Sequence, residues 1–392
     1  TSFFLVFILL FNTSCGVKSV INKADKKYKI GEYFGAANVY KRAYRSIPGK
    51  NKTLRSEVAF KMGDCYRLTN NNQRAERAFS NALRYKYQDN IVYLYYAEVL
   101  KKNGKYAEAL ANYRIYEQSD PKNIWAKNGI KSCLEIPEWE KMTPHFNVKK
   151  ADILNTKKYS EFCPDFANTD GDVLYFNSSR ENTNIGGKIS QITGLRNNDF
   201  FVAKKNAVGE WEAAMPVEGE LNSFNDEGTP SFSSDGKSMY FTRCRTNTEA
   251  AGAEIFVSTR AGAEWGPGVK VEVLSDSSIM VAHPAISPDG KYLYFVSDMK
   301  GGFGGKDIWR VQNLDKKWGL LENLGSDINT PGDEMFPYVK ADGTLYFSSN
   351  GQPGFGGLDI FKADSIGQNK WKVENMMKPI NSSYDDFGIT FA

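Results

Sequence analysis

The chain has 392 residues, enough for two domains with cores of their own, and carries 50 Lys and Arg against 46 Asp and Glu. Its five cysteines form no CxxC pair, and no HExxH, GxSxG or phosphate-loop motif occurs, so the sequence suggests no zinc site, thiol-redox centre, serine hydrolase or P-loop, and a sugar- or peptide-cleaving propeller enzyme is a minor alternative. The charge is unevenly placed: residues 16–140 hold 24 basic against 13 acidic side chains, and residues 141–392 hold 26 against 33. A basic first part beside an acidic second part points to an anionic partner at the first, or to contact between the two, with plain solvated helix faces as the alternative.

Phe3 to Phe11 is an unbroken apolar run, too short to span a bilayer and of the length of a signal h-region. Cys15 follows after the small residues Thr13 and Ser14, so residues 1–15 read as a lipoprotein-type signal in which Cys15 is lipidated. Asn12 stands where such signals carry an aliphatic residue, and no basic n-region is present. A plain secretory signal with an incidental cysteine is the other reading.

From 16 to 140 the pattern is helical and repeated. Gly31, Tyr33, Ala36, Tyr40, Ala43 and Pro48 share their spacing with Gly104, Tyr106, Ala109, Tyr113, Tyr116 and Pro121. Met62, Gly63 and Tyr66, followed by Ala75, Phe79 and Ala82, fit the same frame, with Asn70 and Asn72 in the glycine and aromatic slots. Small residues let paired helices approach, aromatics fill the gap and proline ends the second helix, which is the tetratricopeptide (TPR) pattern. Residues 123–134 read as a capping helix and 135–144 as a linker. Cys65 and Cys133 fall on packed helix faces as core thiols.

From 141 to 392 a block of about 53 residues recurs. Asp-Gly turns at 170, 235, 289 and 342 each precede an aromatic strand, Leu174-Tyr175-Phe176 and its equivalents. Acidic-apolar-aromatic strands follow at Asp199, Glu254, Asp307 and Asp359, then a tryptophan at 211, 265, 318 and 371. In the third copy the strands read as 284–287, 292–297, 307–311 and 318–321. Four strands joined by short turns and repeated radially make a β-propeller blade. Residues 145–154 resemble a fourth strand without its first three, and 386–392 a first strand without the rest. The expected fold is therefore an α plus all-β multidomain protein: a TPR solenoid, then a five-bladed propeller whose last blade is incomplete in this chain. A disulfide between Cys163 and Cys244, in neighbouring blades, is compatible with the pattern but not dictated by it.

No catalytic residues, cofactor or metal site are expected. His283 precedes a blade proline where other copies have Cys163, Thr229 and Phe336, which marks a packing position. Acids recur at Glu161, Glu227, Glu334 and Asp386, before the inner strand, and Asn155, Asn222, Asn329 and Asn381 recur just ahead of them. Blade topology places these acids and the glycine-rich loops carrying Phe303 and Phe355 on one rim. Either the acids fix loop amides and blade geometry, or these six residues form a partner- or cation-binding rim.

The signal cysteine, the TPR helices and blades with Ser287-Pro288-Asp289-Gly290-Lys291 and Gly-Gly-Phe-Gly-Gly…Asp-Ile-Trp resemble OmpA-family lipoproteins with WD40-like (Pro-Asp) repeats over essentially the whole chain. The resemblance implies a non-enzymatic periplasmic scaffold, held at the outer membrane of a Gram-negative bacterium by lipid on Cys15 and binding envelope proteins through the TPR groove and propeller rim. One branch of that family belongs to type IX secretion and gliding machinery. Its members bind peptidoglycan through an OmpA-like domain, which the resemblance places beyond residue 392. Nucleic acid is not an expected partner. The competing expectation is a soluble TolB-type module that binds a protein or peptide without an anchor of its own.

Overall fold

A computed structural model describes residues 2–181, 189–245, 252–262, 264–276, 278–314, 317–367 and 369–392, with 2–15 and 245 described by backbone alone. The chain divides into two compact units, Thr1–Pro137 with Ile189–Leu195, and Glu138–Lys188 with Arg196–Ala392.

The helices are α1 (Ser2–Lys29), α2 (Tyr33–Ser46), α3 (Lys52–Leu68), α4 (Asn72–Arg84), α5 (Ile91–Lys102), α6 (Tyr106–Ser119) and α7 (Ile124–Trp139). They pair in sequence, α1 with α2, α3 with α4 and α5 with α6, and successive pairs stack through α2 on α3 and α4 on α5. The repeat residues explain the spacing. Ala36, Ala75 and Ala109 have no exposed surface. A Cβ on Gly63 would stand 2.8 Å from the Phe79 ring, so only glycine lets α3 and α4 close around that phenylalanine. Asn70 makes the left-handed turn (φ 56°) that Gly31 (81°) and Gly104 (72°) make in the other two pairs, which is why asparagine can stand in the glycine slot. The cap helix runs further than the sequence pattern indicates, to Trp139, because Ile136 is fully buried and draws the chain through another turn. The helix α1 passes continuously through residues 15 and 16, while the Cys15 side chain lies outside the described residues. Among the described residues no helix is long and apolar enough to cross a membrane.

Among the described residues the second unit is built from four antiparallel sheets, each in sequence order. They are β1 (Glu161–Phe166), β2 (Val173–Ser178), β3 (Asp199–Lys204) and β4 (Met215–Pro216); β5 (Asp226–Phe232), β6 (Ser238–Arg245), β7 (Gly252–Ala261) and β8 (Glu264–Trp265), with β9 (Val269–Lys270) also on β7; β10 (Val281–Ile286), β11 (Tyr292–Ser297), β12 (Asp307–Asn313) and β13 (Trp318–Asn323); and β14 (Glu334–Val339), β15 (Leu345–Ser349), β16 (Asp359–Gly367) and β17 (Lys370–Asn375). The inner strands β1, β5, β10 and β14 touch in that order, as propeller blades do. Asp-Gly turns connect the first two strands, with Gly171, Gly236, Gly290 and Gly343 all at positive φ. The periodic tryptophan wedges one blade against the one before: Trp265 donates its Nε1 proton to the Tyr175 hydroxyl at 3.0 Å.

Each inner strand carries a bulge that its sequence does not announce. The register slips between Phe162 and Asp165, Gly228 and Ser231, Ala282 and Ala285, and Met335 and Tyr338. The bulged residues Cys163, Thr229, His283 and Phe336 have φ between 46° and 54°, and a proline follows each. Proline is tolerated there because a bulge already breaks the hydrogen-bond ladder.

The fifth blade departs from expectation. Residues 145–153 are exposed and form no strand, so the fourth strand proposed there is absent. Asn155, unlike Asn222, Asn329 and Asn381, bonds back to the Ala151 carbonyl at 2.8 Å. Residues 386–392 form no ladder either, yet they take up a fifth inner position. Gly388 has φ 71°, like the four bulge residues, and lies against Cys163. Phe387 stacks on Phe336 at 4.6 Å, and Thr390 bonds to Asp165 at 2.9 Å. Five inner segments thus surround one channel.

Candidate functional site

The loop between second and third strands of one blade meets the connection leading into the next. Gly305 N donates to Gly332 O (2.9 Å) and Glu334 N to Lys306 O (2.7 Å). Further round, Gly357 N donates to Tyr384 O (3.1 Å) and Asp386 N to Leu358 O (2.7 Å). The recurrent acids hold this junction from inside. Thr330 donates to Glu334 through its N and Oγ1, each at 2.7 Å, and Ser349 Oγ adds a bond at 2.6 Å. Glu227 accepts from Ser223 N and Oγ and pairs with Arg243 Nε at 2.8 Å. Thr156 and Arg180 serve Glu161 in the same way, and Ser382 serves Asp386. Burial raises the Glu227 and Glu334 carboxyls to about 7 and also raises Asp386.

These carboxylates therefore face into the fold. Glu227 is 1% and Glu334 0% exposed, which removes them from the open rim on which the sequence placed them. The asparagines act as an extra rung: Asn222, Asn329 and Asn381 each accept from and donate to the backbone of Phe200, Ile308 and Ile360, respectively. A second set of acids seats the glycine-rich loops. Asp307 accepts from Phe303 N at 2.6 Å and Gly304 N at 3.2 Å, and Asp359 from Phe355 N at 2.9 Å and Gly356 N at 3.0 Å.

What these anchors present is aromatic. Phe224 (79% exposed), Phe303 (48%) and Tyr384 (63%) stand at the tips of the pinned loops. Phe355 does not join them. It is fully buried, with the Trp139 ring, also of the second unit, at 5.2 Å, so its placement on the exposed rim is corrected. Phe224 and Tyr384 escaped the sequence reading because they are offset by one position within their connections; the shared Asn-Ser before each was the available signal.

The channel is the other feature of this unit. A cavity of about 370 Å³ is lined by all five inner segments, including Pro164, Pro230, Pro284, Pro337 and Ile389. His283 lies in its wall, stacked on Phe336 at 4.1 Å, and its Nδ1 accepts from Phe336 N at 3.3 Å. Burial, helped by the Lys306 charge, lowers its pKa to about 3, so the ring is neutral and packed. Asp165 also lines the channel, raised by burial to about 7. It occupies a position that Ser231, Ala285, Tyr338 and Thr390 fill in the other segments, and an acid among neutral counterparts was the sequence signal for it. Cys65, Cys133, Cys163 and Cys244 are free thiols, so the Cys163–Cys244 pairing is not formed. Among the described residues no cluster of three or more His, Cys, Asp or Glu could hold a metal ion.

No protein-family model matches this chain, and no curated protein matches it. Among solved structures it is similar to TolB from Acinetobacter baumannii, with 18% identity and a TM-score of 0.36 over 57% of this chain and 45% of that one. The Yersinia enterocolitica type III secretion chaperone SycD, solved with a peptide of the translocator YopD, matches 32% of this chain and 95% of its own at 18% identity and TM-score 0.27. A puromycin-hydrolyzing peptidase of Mycobacterium tuberculosis matches 57% of this chain and 30% of its own, at 12% identity and TM-score 0.32. The chain thus spans less than half of the TolB structure, and likenesses this distant concern fold. TPR helices followed by a β-propeller are what the two units consist of.

Proposed function

We propose that this chain is a non-enzymatic protein-binding scaffold of the Gram-negative envelope, held at the periplasmic face of the outer membrane by lipid on Cys15. The observation that carries the binding role is the rim: Phe224, Phe303 and Tyr384 are exposed at the tips of loops whose backbones Glu227, Asp307 and Asp386 hold by hydrogen bonds. Exposed aromatic side chains on pre-ordered backbone gain contact area on binding while losing little conformational entropy, the combination found in binding hot spots. The anchor is supported by the apolar run Phe3 to Phe11 ahead of Cys15. The motifs shared with OmpA-family lipoproteins extend the reading to a link between a type IX secretion or gliding complex and the cell wall.

A photo-crosslinking amino acid at Phe303 in living cells tests the rim. We expect a discrete envelope protein to be captured, and the capture to be lost when Phe224 and Tyr384 are both changed to alanine. A correctly folded double variant that captures the same protein undiminished contradicts the rim. Palmitate labelling that depends on Cys15 tests the anchor; unlabelled, freely soluble protein contradicts it.

A further inference from the structure

We propose that the channel at the centre of the propeller binds an alkylammonium or guanidinium group, with Asp165 as its counter-ion. The walls are largely uncharged: five prolines and Ile389 line them, and the bulged His283 and Phe336 in the lining stack on each other. Within this lining Asp165 is the one carboxylate side chain. Its oxygens receive Phe166 N at 3.1 Å, Phe232 N at 3.1 Å and Thr390 Oγ1 at 2.9 Å, all neutral donors. Among the described residues no cation pairs with it. Lys340, the one ammonium in the lining, lies over the Phe391 ring at 5.1 Å and 3.8 Å from Asp342.

A half-buried carboxylate met only by dipoles lacks the partner that stabilises its charge most, a positive charge at contact distance. The channel has room for one. Its volume of about 370 Å³ falls within the range of small-ligand sites, and its proline and aliphatic walls suit the methylene stem that carries an ammonium or guanidinium. The elevated Asp165 carboxyl agrees with this geometry, since burial with no cation alongside raises it. The other titratable groups facing the channel do not supply one: Cys163 and His283 are held neutral by burial, Tyr338 is raised by burial, and Lys340 is engaged as described. The cation comes from a small amine or from a Lys or Arg side chain of a bound protein, and the site stands whether or not the scaffold reading holds.

Calorimetric titration of the full chain with n-butylamine, and with n-butanol as its neutral counterpart, tests the site. Butylammonium is expected to bind at least about tenfold more tightly than butanol, and Asp165→Asn to remove that advantage. Titration of the unmodified chain at about pH 6 in buffers of different ionisation enthalpy is expected to show proton release, because the bound cation ionises a carboxyl that is protonated when the site is empty. Equal affinity for amine and alcohol, or binding without proton release, overturns the proposal, and neither reading needs the variant to fold. N-acetyl-lysine methylamide separates the sources: binding like butylamine assigns the site to a protein side chain, and failure to bind while butylamine does assigns it to a small amine.

Discussion

Thr390 donates its hydroxyl proton to Asp165 at 2.9 Å, joining the last inner segment of the propeller to the first across 225 residues of sequence. The same kind of stitch runs between neighbouring segments elsewhere: Phe232 N to Asp165, Ile286 N to Ser231 Oγ, and Phe336 N to His283 Nδ1. Thr390→Val keeps the shape and deletes the donor. It is expected to lower the unfolding free energy by about 1–2 kcal/mol, the usual worth of a hydrogen bond to an acidic acceptor that is partly solvated. Urea denaturation followed by tryptophan fluorescence checks this, and an unchanged midpoint would show that the ring closes without this bond.

Stability should also depend on pH in a direction opposite to that of most carboxylates. Asp165, Glu227 and Glu334 are raised by burial to about 7, whereas the unfolded chain titrates such groups near about 4. The folded state therefore holds protons that the unfolded state has released, and stability falls as pH rises from about 4 to about 7. The propeller is expected to melt a few degrees higher at about pH 5 than at about pH 8. Glu334→Gln should flatten this slope and raise the melting temperature at the alkaline end. Its amide oxygen can keep Thr330 N, while its NH2 donates to the Thr330 and Ser349 hydroxyls that now donate to Glu334. A slope unchanged in Glu334→Gln rules out Glu334 as a source.

Two glycines of similar appearance in sequence should respond very differently to alanine. A Cβ on Gly304 would overlap the Thr330 carbonyl oxygen and stand 2.5 Å from the Gly332 oxygen, backbone that cannot withdraw without unseating the inter-blade junction. Gly304→Ala is expected to destabilise the propeller by on the order of 3 kcal/mol or more. Gly290 has nothing within 4 Å of its would-be Cβ and only its positive φ to satisfy. Gly290→Ala should lose about 1 kcal/mol. Equal losses in thermal melts would contradict the account of the junction.

Local pattern made most of the fold legible and long-range contact supplied what was not. Tyr292–Ser297 was readable to its ends, because an Asp-Gly turn precedes it and aromatic and β-branched residues fill it. The inner strand before it begins at Val281, ahead of the apolar run, because the left-handed bulge at His283 is a backbone conformation that Cys163, Thr229 and Phe336 share without sharing any side-chain chemistry. Residues 145–154 carry the letters of a fourth strand, yet they pair with no strand among the described residues, and an unpaired strand leaves its backbone groups to water. The recurrent acids were conspicuous by position; that they point inward follows from Ser, Thr and Arg side chains that blade closure brings to them.

Phe303 and Phe355 pose the sharpest form of this problem, since each sits in a Gly-Phe-Gly-Gly loop pinned by the next blade acid, and one is 48% exposed while the other is buried. The difference comes from partners that local sequence does not contain: Trp139 at 5.2 Å and the Lys378 ammonium at 5.3 Å cover Phe355. Phe355→Ala should therefore open a cavity and destabilise the second unit by about 3–5 kcal/mol. Phe303→Ala should lose much less stability, about 1 kcal/mol or under, because nearly half of its surface is already exposed. Its effect should fall on binding instead, through loss of envelope partner captured by cross-linking. The pair of substitutions separates a packing aromatic from a recognition aromatic in one experiment. A large stability loss in Phe303→Ala, or undiminished partner capture with the ring gone, would remove Phe303 from the recognition surface.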